Sequence, residues 1–247
     1  MILSKAKLGK YSLLRHKKYR DKDGLFMVQG VKAVEDTIGK FTTVAILCSD
    51  SEKFSFLHGE TCVYEISDSE MRRITSLEKI PDIIAIYKIP VPSVPTPILN
   101  KNEFYLAVDG VQDPGNLGTM IRSAHWFGIK KMFCSRDTVD VYNPKVVMAT
   151  MGSIAAVDVE YCDLNELFLK NQGIPVYGML LEGKNIFSVK NLTPGFIVMG
   201  SEGHGLSESI LSHITIGLTI PPVDPKDSPD SLNVAIATAI ALSQLVQ

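Results

Sequence analysis

From Phe104 onward the chain repeats one pattern: a short apolar run, a glycine-bearing turn, then a segment of helical character. Short apolar runs in regular alternation with helices can bury their side chains in few ways. The usual solution is a mostly parallel sheet covered by the helices that connect its strands. The strands expected on this pattern are 104–108, 131–134, 155–161, 176–181, 196–199 and 215–220. The helices expected between and after them are 117–127, 144–151, 164–171, 208–213 and 232–246. The last of these is apolar nearly all round, so it needs cover on more than one side, from a crowded core or a second subunit.

The first part of the chain reads differently. Residues 25–28, 44–48 and 61–66 have the apolar character of strands, and 30–38 that of a helix. Ser67 followed by Glu70 has the spacing of a reciprocal helix cap. These features describe a small α/β domain over residues 1–90. Pro90, Pro92, Pro95 and Pro97 then crowd one stretch. Proline fixes φ and removes a donor, so 91–103 is expected to be an extended linker, and 104–247 the second domain.

Composition narrows the class. The 247 residues carry a formal net charge of −2, so the molecule as a whole does not advertise a polyanion partner. The distribution is less even: Lys5, Lys7, Lys10, Arg15, Lys17, Lys18, Arg20 and Lys22 fall near one end, with Tyr11 and Tyr19 among them. Such a run is either a solvated helix face or a surface for phosphates and stacked bases. Cys48, Cys62, Cys134 and Cys162 form no C-x-x-C pair and have no histidine cluster beside them. We expect four reduced thiols in a cytoplasmic protein and no metal site. The longest apolar stretch, 232–246, is interrupted by Asn233, Thr238, Ser243 and Gln244, and no membrane span is expected.

Three loops follow expected strands, at the sheet edge where open α/β folds bind ligands. The first runs from Asp109 through Gly110, Pro114, Gly115, Asn116 and Gly118 to Arg122. Asn116 suits a helix cap, and Arg122 either a surface ion pair or a phosphate. The second is Met199-Gly200-Ser201-Glu202-Gly203-His204-Gly205, an open backbone surface or a tight turn before a helix at Ser207. The third joins Ile220-Pro221-Pro222 to Ser231-Leu232-Asn233-Val234, with Ser231 as the expected cap. Asn233, a poor helix former, needs a partner in the backbone or a ligand. The glycine fingerprints of dinucleotide and nucleoside-triphosphate sites are absent.

Taken in this order, the three segments resemble the motifs of the SpoU (TrmH-type) RNA 2′-O-ribose methyltransferases of the SPOUT superfamily. Asn116-x-Gly118-x-x-x-Arg122 is similar to the first motif, and Gly200-Ser201-Glu202-Gly203-His204-Gly205 to the second. Ile220-Pro221 with Ser231-Leu232-Asn233-Val234 is similar to the third. A stretch around Asn143-Pro144-Lys145 also resembles a family segment. Residues 20–34 resemble the entry of a family RNA-binding domain, with Gln29 where glutamate is usual. The chain departs from the pattern in its long Pro222-to-Asp230 loop, in Pro222 itself, and in Met148 and Thr150, where arginine and serine are frequent.

The resemblance implies an α/β fold whose C-terminal domain forms a deep trefoil knot, an exception to ordinary chain topology. It implies S-adenosylmethionine as cofactor, held largely by backbone groups at Met199, Gly200, Gly203, Ile220 and Leu232. Arg122 would be a fixed positive charge at the reacting hydroxyl, oriented with the ribose by Asn116, Glu202, Ser231 and Asn233. Lys17, Lys18, Arg20 and Arg122 would meet RNA, ribosomal RNA before transfer RNA, in a homodimer. The rival reading is an RNA-binding protein that keeps the scaffold without turnover.

Overall fold

The computed structural model describes residues 3–60, 62–91, 98–190 and 192–246. The chain forms two compact units: Met1–Val91 with Asp140–Ala155, and Pro92–Val139 with Ala156–Gln247. The expected division at a proline linker is therefore only part of the arrangement. Residues 92–97 lie outside the described residues, and the stretch 140–155, expected within the second domain, belongs to the first unit.

The first unit begins with two short helices, α1 (Lys5–Ser12) and α2 (Lys17–Asp23), which carry most of the basic run. It continues through β1 (Leu25–Gln29), α3 (Val31–Thr37), β2 (Thr43–Cys48), β3 (Val63–Glu65), α4 (Asp68–Ile74) and β4 (Ile83–Lys88). The sheet order is β1-β4-β2-β3, antiparallel except for the β2–β3 pair. The expected cap at Ser67 is present as a full reciprocal pair with Glu70. Strand β4 was not expected, although five of its six residues are buried. Gln29 in place of glutamate has a physical role: its carbonyl oxygen accepts from Thr75 at 2.6 Å and its amide donates to Ser76 at 3.3 Å. A carboxylate could do only the first.

The second unit is built on β5 (Tyr105–Asp109), α5 (Pro114–Trp126) and β6 (Lys131–Cys134). After β6 the chain supplies α6 (Pro144–Ala149) to the first unit. The second unit resumes with β7 (Asp158–Tyr161), α7 (Leu164–Lys170), β8 (Val176–Asn185), β9 (Phe196–Gly200), α8 (Glu208–Leu211), β10 (Ile216–Thr219) and α9 (Val234–Leu245). Its six-stranded sheet has the order β10-β8-β9-β5-β6-β7, and every pair is parallel. That is the architecture expected from the alternation. Tyr105, Phe133, Phe168 and Phe196 pack ring against ring in the core. Thr238, inside the apolar helix α9, returns its hydroxyl to the Val234 carbonyl at 2.7 Å, so no buried donor is left open.

Arg20 corrects an expectation. It is 2% exposed, so it cannot reach a polyanion. Its Nε and Nη2 donate to Asp140 Oδ2 at 3.1 and 2.6 Å, and Nη1 donates to the Leu14 carbonyl at 2.9 Å. The pair lies within the first unit and, with Tyr142 against Phe26 at 4.7 Å, fixes residues 140–155 there. Removing one partner of a buried pair strands the other. Arg20→Ala is expected to lower the unfolding free energy by about 3 kcal/mol, because Asp140 keeps some access to water. Urea unfolding measures this; a midpoint equal to wild type would contradict it.

Candidate active site

Because all six strands of the second sheet are parallel, their C-terminal ends share one edge. The loops after β5, β9 and β10 therefore emerge together. Local chemistry then sets each one. Gly110, at φ +70°, turns the chain out of β5 and donates its N–H to Ser135 Oγ at 2.9 Å. Asp113 caps α5 by accepting the Asn116 N–H at 2.8 Å, with Pro114 at the first helical position. The expected cap was Asn116, whose side chain is in fact left for another task.

That task is to join the three loops. Asn116 Nδ2 donates to Glu202 Oε1, across 86 residues of sequence. Asn116 Oδ1 accepts from Asn233 Nδ2 at 2.9 Å, across 117 residues. Asn233 Oδ1 in turn accepts the N–H groups of Ala235 and Ile236 at 3.0 and 3.2 Å, which makes Asn233 the cap of α9. Ser231, expected as that cap, lies two residues earlier and exposed. The relay has one direction. Donors of the α9 N-terminus fix the Asn233 oxygen, which leaves its NH₂ to fix the Asn116 oxygen. The Asn116 NH₂ then faces the Glu202 carboxylate.

The second loop closes tightly. Ser201 and Gly205 exchange two backbone hydrogen bonds, at 3.0 and 2.9 Å. A Cβ on Gly200 would lie 2.5 Å from the Leu206 nitrogen and closer still to the Gly205 carbonyl, so this position accepts only glycine. Gly203 and His204 are exposed at its tip, and Met199 is buried in the strand, offering backbone alone. Asp109 holds the far end by accepting the Ser207 N–H at 2.7 Å. Sequence reading missed that contact. Its signal was an acid at the last position of a buried strand, where a carboxylate needs donors.

Gly200 ends β9 and Ile220 follows the last residue of β10; these strands flank β8, which places their ends about 10 Å apart. Between them β8 does something sequence reading missed. Its pairing with β10 jumps from Gly178↔Gly217 to Lys184↔Leu218, so residues 179–183 bulge at the edge. Thr219 Oγ1 donates to the Leu181 carbonyl at 2.9 Å and secures the bulge. The ends of β9, β8 and β10 thus lie side by side at this edge. Leu232 is exposed just before α9, and Ile220 is half-buried.

Arg122 stands apart from the relay. It is exposed and makes no hydrogen bond or ion pair among the described residues. It sits six residues beyond Asn116, about 9 Å along α5. Its side of the helix is that of Thr119 and Trp126 rather than that of Asn116. Lys17 and Lys18 are exposed on α2 in the first unit; Lys17 pairs with Asp21 at 2.8 Å. No metal-binding cluster occurs among the described residues.

A parallel sheet whose strand-end loops are tied together by side-chain amides defines an α/β protein with its motif loops gathered at one sheet edge. Residues 103–243 match the SpoU rRNA Methylase family, and residues 6–85 match the MRM3-like substrate binding domain. The chain belongs to the SpoU rRNA methylase family. It is 30% identical over 244 residues to the 23S rRNA (guanosine(2553)-2′-O)-methyltransferase RlmP of Bacillus subtilis, covering 97% of this chain and 95% of that protein. It shares its fold with a TrmH-family protein from Porphyromonas gingivalis, at 33% identity and a TM-score of 0.86, covering 99% and 98% of the two chains. An S-adenosylmethionine-bound rRNA methyltransferase from Sinorhizobium meliloti matches at 26% identity and a TM-score of 0.85, covering 98% and 94%.

The closed second loop gives a test. Gly200→Ala forces the 201–205 turn away from β9. The Ser201 and Gly205 amides, protected by their mutual bonds in the wild type, are expected to exchange with solvent at least about tenfold faster. Hydrogen exchange reads this residue by residue; unchanged protection would contradict the assigned close approach.

Proposed function

We propose that this protein transfers the methyl group of S-adenosylmethionine to the 2′-hydroxyl of a guanosine ribose in ribosomal RNA. The observation that carries the reading is the relay from Asn233 through Asn116 to Glu202, which draws all three family motifs into one site. Guanosine and ribosomal RNA follow from relatives named for them, RlmP and the RlmB enzymes.

The family uses S-adenosylmethionine. In this reading the cofactor meets backbone groups at Met199, Gly200 and Gly203, with Ile220 and Leu232 as apolar neighbours. The cofactor when bound supplies an activated methyl on a sulfonium, so the chemistry needs no metal. What the chain contributes is alignment, which can be worth ~7–11 kcal/mol. Asn116, Glu202 and Asn233 hold the loops in register, and Ser231 offers a hydroxyl beside them. We assign the Arg122 guanidinium to phosphate and to the charge that forms on the hydroxyl oxygen.

The C-terminal segment is read as the family's trefoil knot. No helix among the described residues is long and apolar enough to cross a membrane, and we place the protein in the cytoplasm, with its RNA. The first unit delivers RNA through Lys17, Lys18 and neighbouring basic groups on α2, without Arg20. A second copy covers α5 and α9. Trp126 is 84% exposed on α5, Ile236 is 53% exposed on α9, and the two helices pack together. Arg122 shares the Trp126 side of α5 and meets RNA at that subunit boundary.

Methyl transfer from labelled S-adenosylmethionine to ribosomal RNA, with the product mapped as an alkali-resistant ribose, tests the reading. Arg122→Ala is expected to lower the rate on saturating RNA by about 100-fold or more, with cofactor affinity retained. Weakened RNA binding with an unchanged saturated rate would contradict the role given to Arg122. Absence of any RNA methylation by the wild type would contradict the function.

A further inference from the structure

A hollow lies at the same sheet edge, beside the end of the 201–207 loop. It has a cavity volume of about 410 Å³, within the range of ligand sites. Its walls come from the ends of β5, β6 and β7 and the starts of α7 and α8. It shares a wall with the proposed methyl-transfer site: Asp109 pairs in register with Gly200 and holds Ser207, at the end of the loop that carries Glu202.

Most of the polar groups in this hollow are already engaged. Asp109 holds the Ser207 N–H, and Asp163 Oδ1 caps α7 through the N–H groups of Asn165 and Glu166. Ser135 bonds Thr138, and Ser209 bonds Asn165. Burial pushes the Cys162 thiol up to about 12, so with Leu164 and Ile210 it serves as apolar wall rather than as a nucleophile. Two groups have capacity to spare. Arg136 makes no hydrogen bond or ion pair among the described residues, and Glu166 has only Lys170 at 3.9 Å. They line one hollow without pairing to each other.

We propose that this hollow receives the base of the methylated nucleotide and selects guanine, with Arg136 donating to O6 and N7 and Glu166 accepting from N1–H and the 2-amino group. Arginine on the O6/N7 edge is the commonest specific guanine contact, and flipped bases are read through their Watson–Crick edge against apolar walls. The three carboxylates, Asp109, Asp163 and Glu166, repel a phosphate, which leaves a neutral base as the fitting occupant. Adenine would turn an amino donor toward Arg136 and has no N1 proton for Glu166.

The inference rests on the proposed function, and its test separates the two. Full-length wild type, Arg136→Ala and Glu166→Gln are assayed on RNA carrying guanosine, inosine or adenosine at the methylated position, and cofactor binding is titrated separately. The wild type is expected to prefer guanosine to inosine by about tenfold, and to adenosine by more. Glu166→Gln, which keeps one acceptor oxygen, should shrink the guanosine–inosine difference severalfold, and Arg136→Ala should cut the guanosine–adenosine difference by about tenfold, both with wild-type cofactor affinity. Variants that keep the wild-type ratios overturn the base site while leaving the methyltransferase reading intact. A variant that loses the cofactor overturns it by assigning the hollow to S-adenosylmethionine. A wild type that methylates no RNA removes both.

Discussion

The site depends on two asparagine side chains at a sheet edge. An amide carries both donors and acceptors, so it can stand between groups of opposite need. Asn233 takes the orphan N–H groups of helix α9 on its oxygen, and that fixes which of its atoms faces Asn116. Asn116 is thereby oriented to give its NH₂ to Glu202. Three loops, separated by 86 and 117 residues of sequence, acquire one arrangement from a chain of bonds whose polarity starts at a helix terminus. A carboxylate at either asparagine position would lose the donor the chain requires.

The parallel sheet makes this economy possible. Every strand of the second unit points the same way, so every strand end with chemistry is delivered to one edge. Gly200 lets the second loop fold back on the end of its own strand, and residues 179–183 bulge from β8 between β9 and β10.

Much of the sheet was legible because buried parallel strands are written as apolar runs: all five residues of β5 are buried. Strand β4 is written in the same way, as Ile83–Tyr87, yet it was passed over in the reading of the sequence. The caps were misplaced by two or three residues. Asp113 and Asn116, like Ser231 and Asn233, are all competent caps, and the choice is made by contacts remote in sequence. Arg20 sat in a basic run and was read with it. Only Asp140, 120 residues away, reveals it as a buried structural cation. Asn116, Glu202 and Asn233 stood out as motif residues, while the bonds among them, and the holding role of Asp109, were not legible.

The most direct test of the relay is a double-mutant cycle on cofactor binding with Asn116→Ala, Asn233→Ala and the pair. Residues that act through one bonded chain are non-additive, with coupling of about 0.5–3 kcal/mol. The relay predicts that the double variant binds S-adenosylmethionine little worse than the weaker single variant. Losses that simply add would mean that the two amides act separately, and that the three loops are not held as one site.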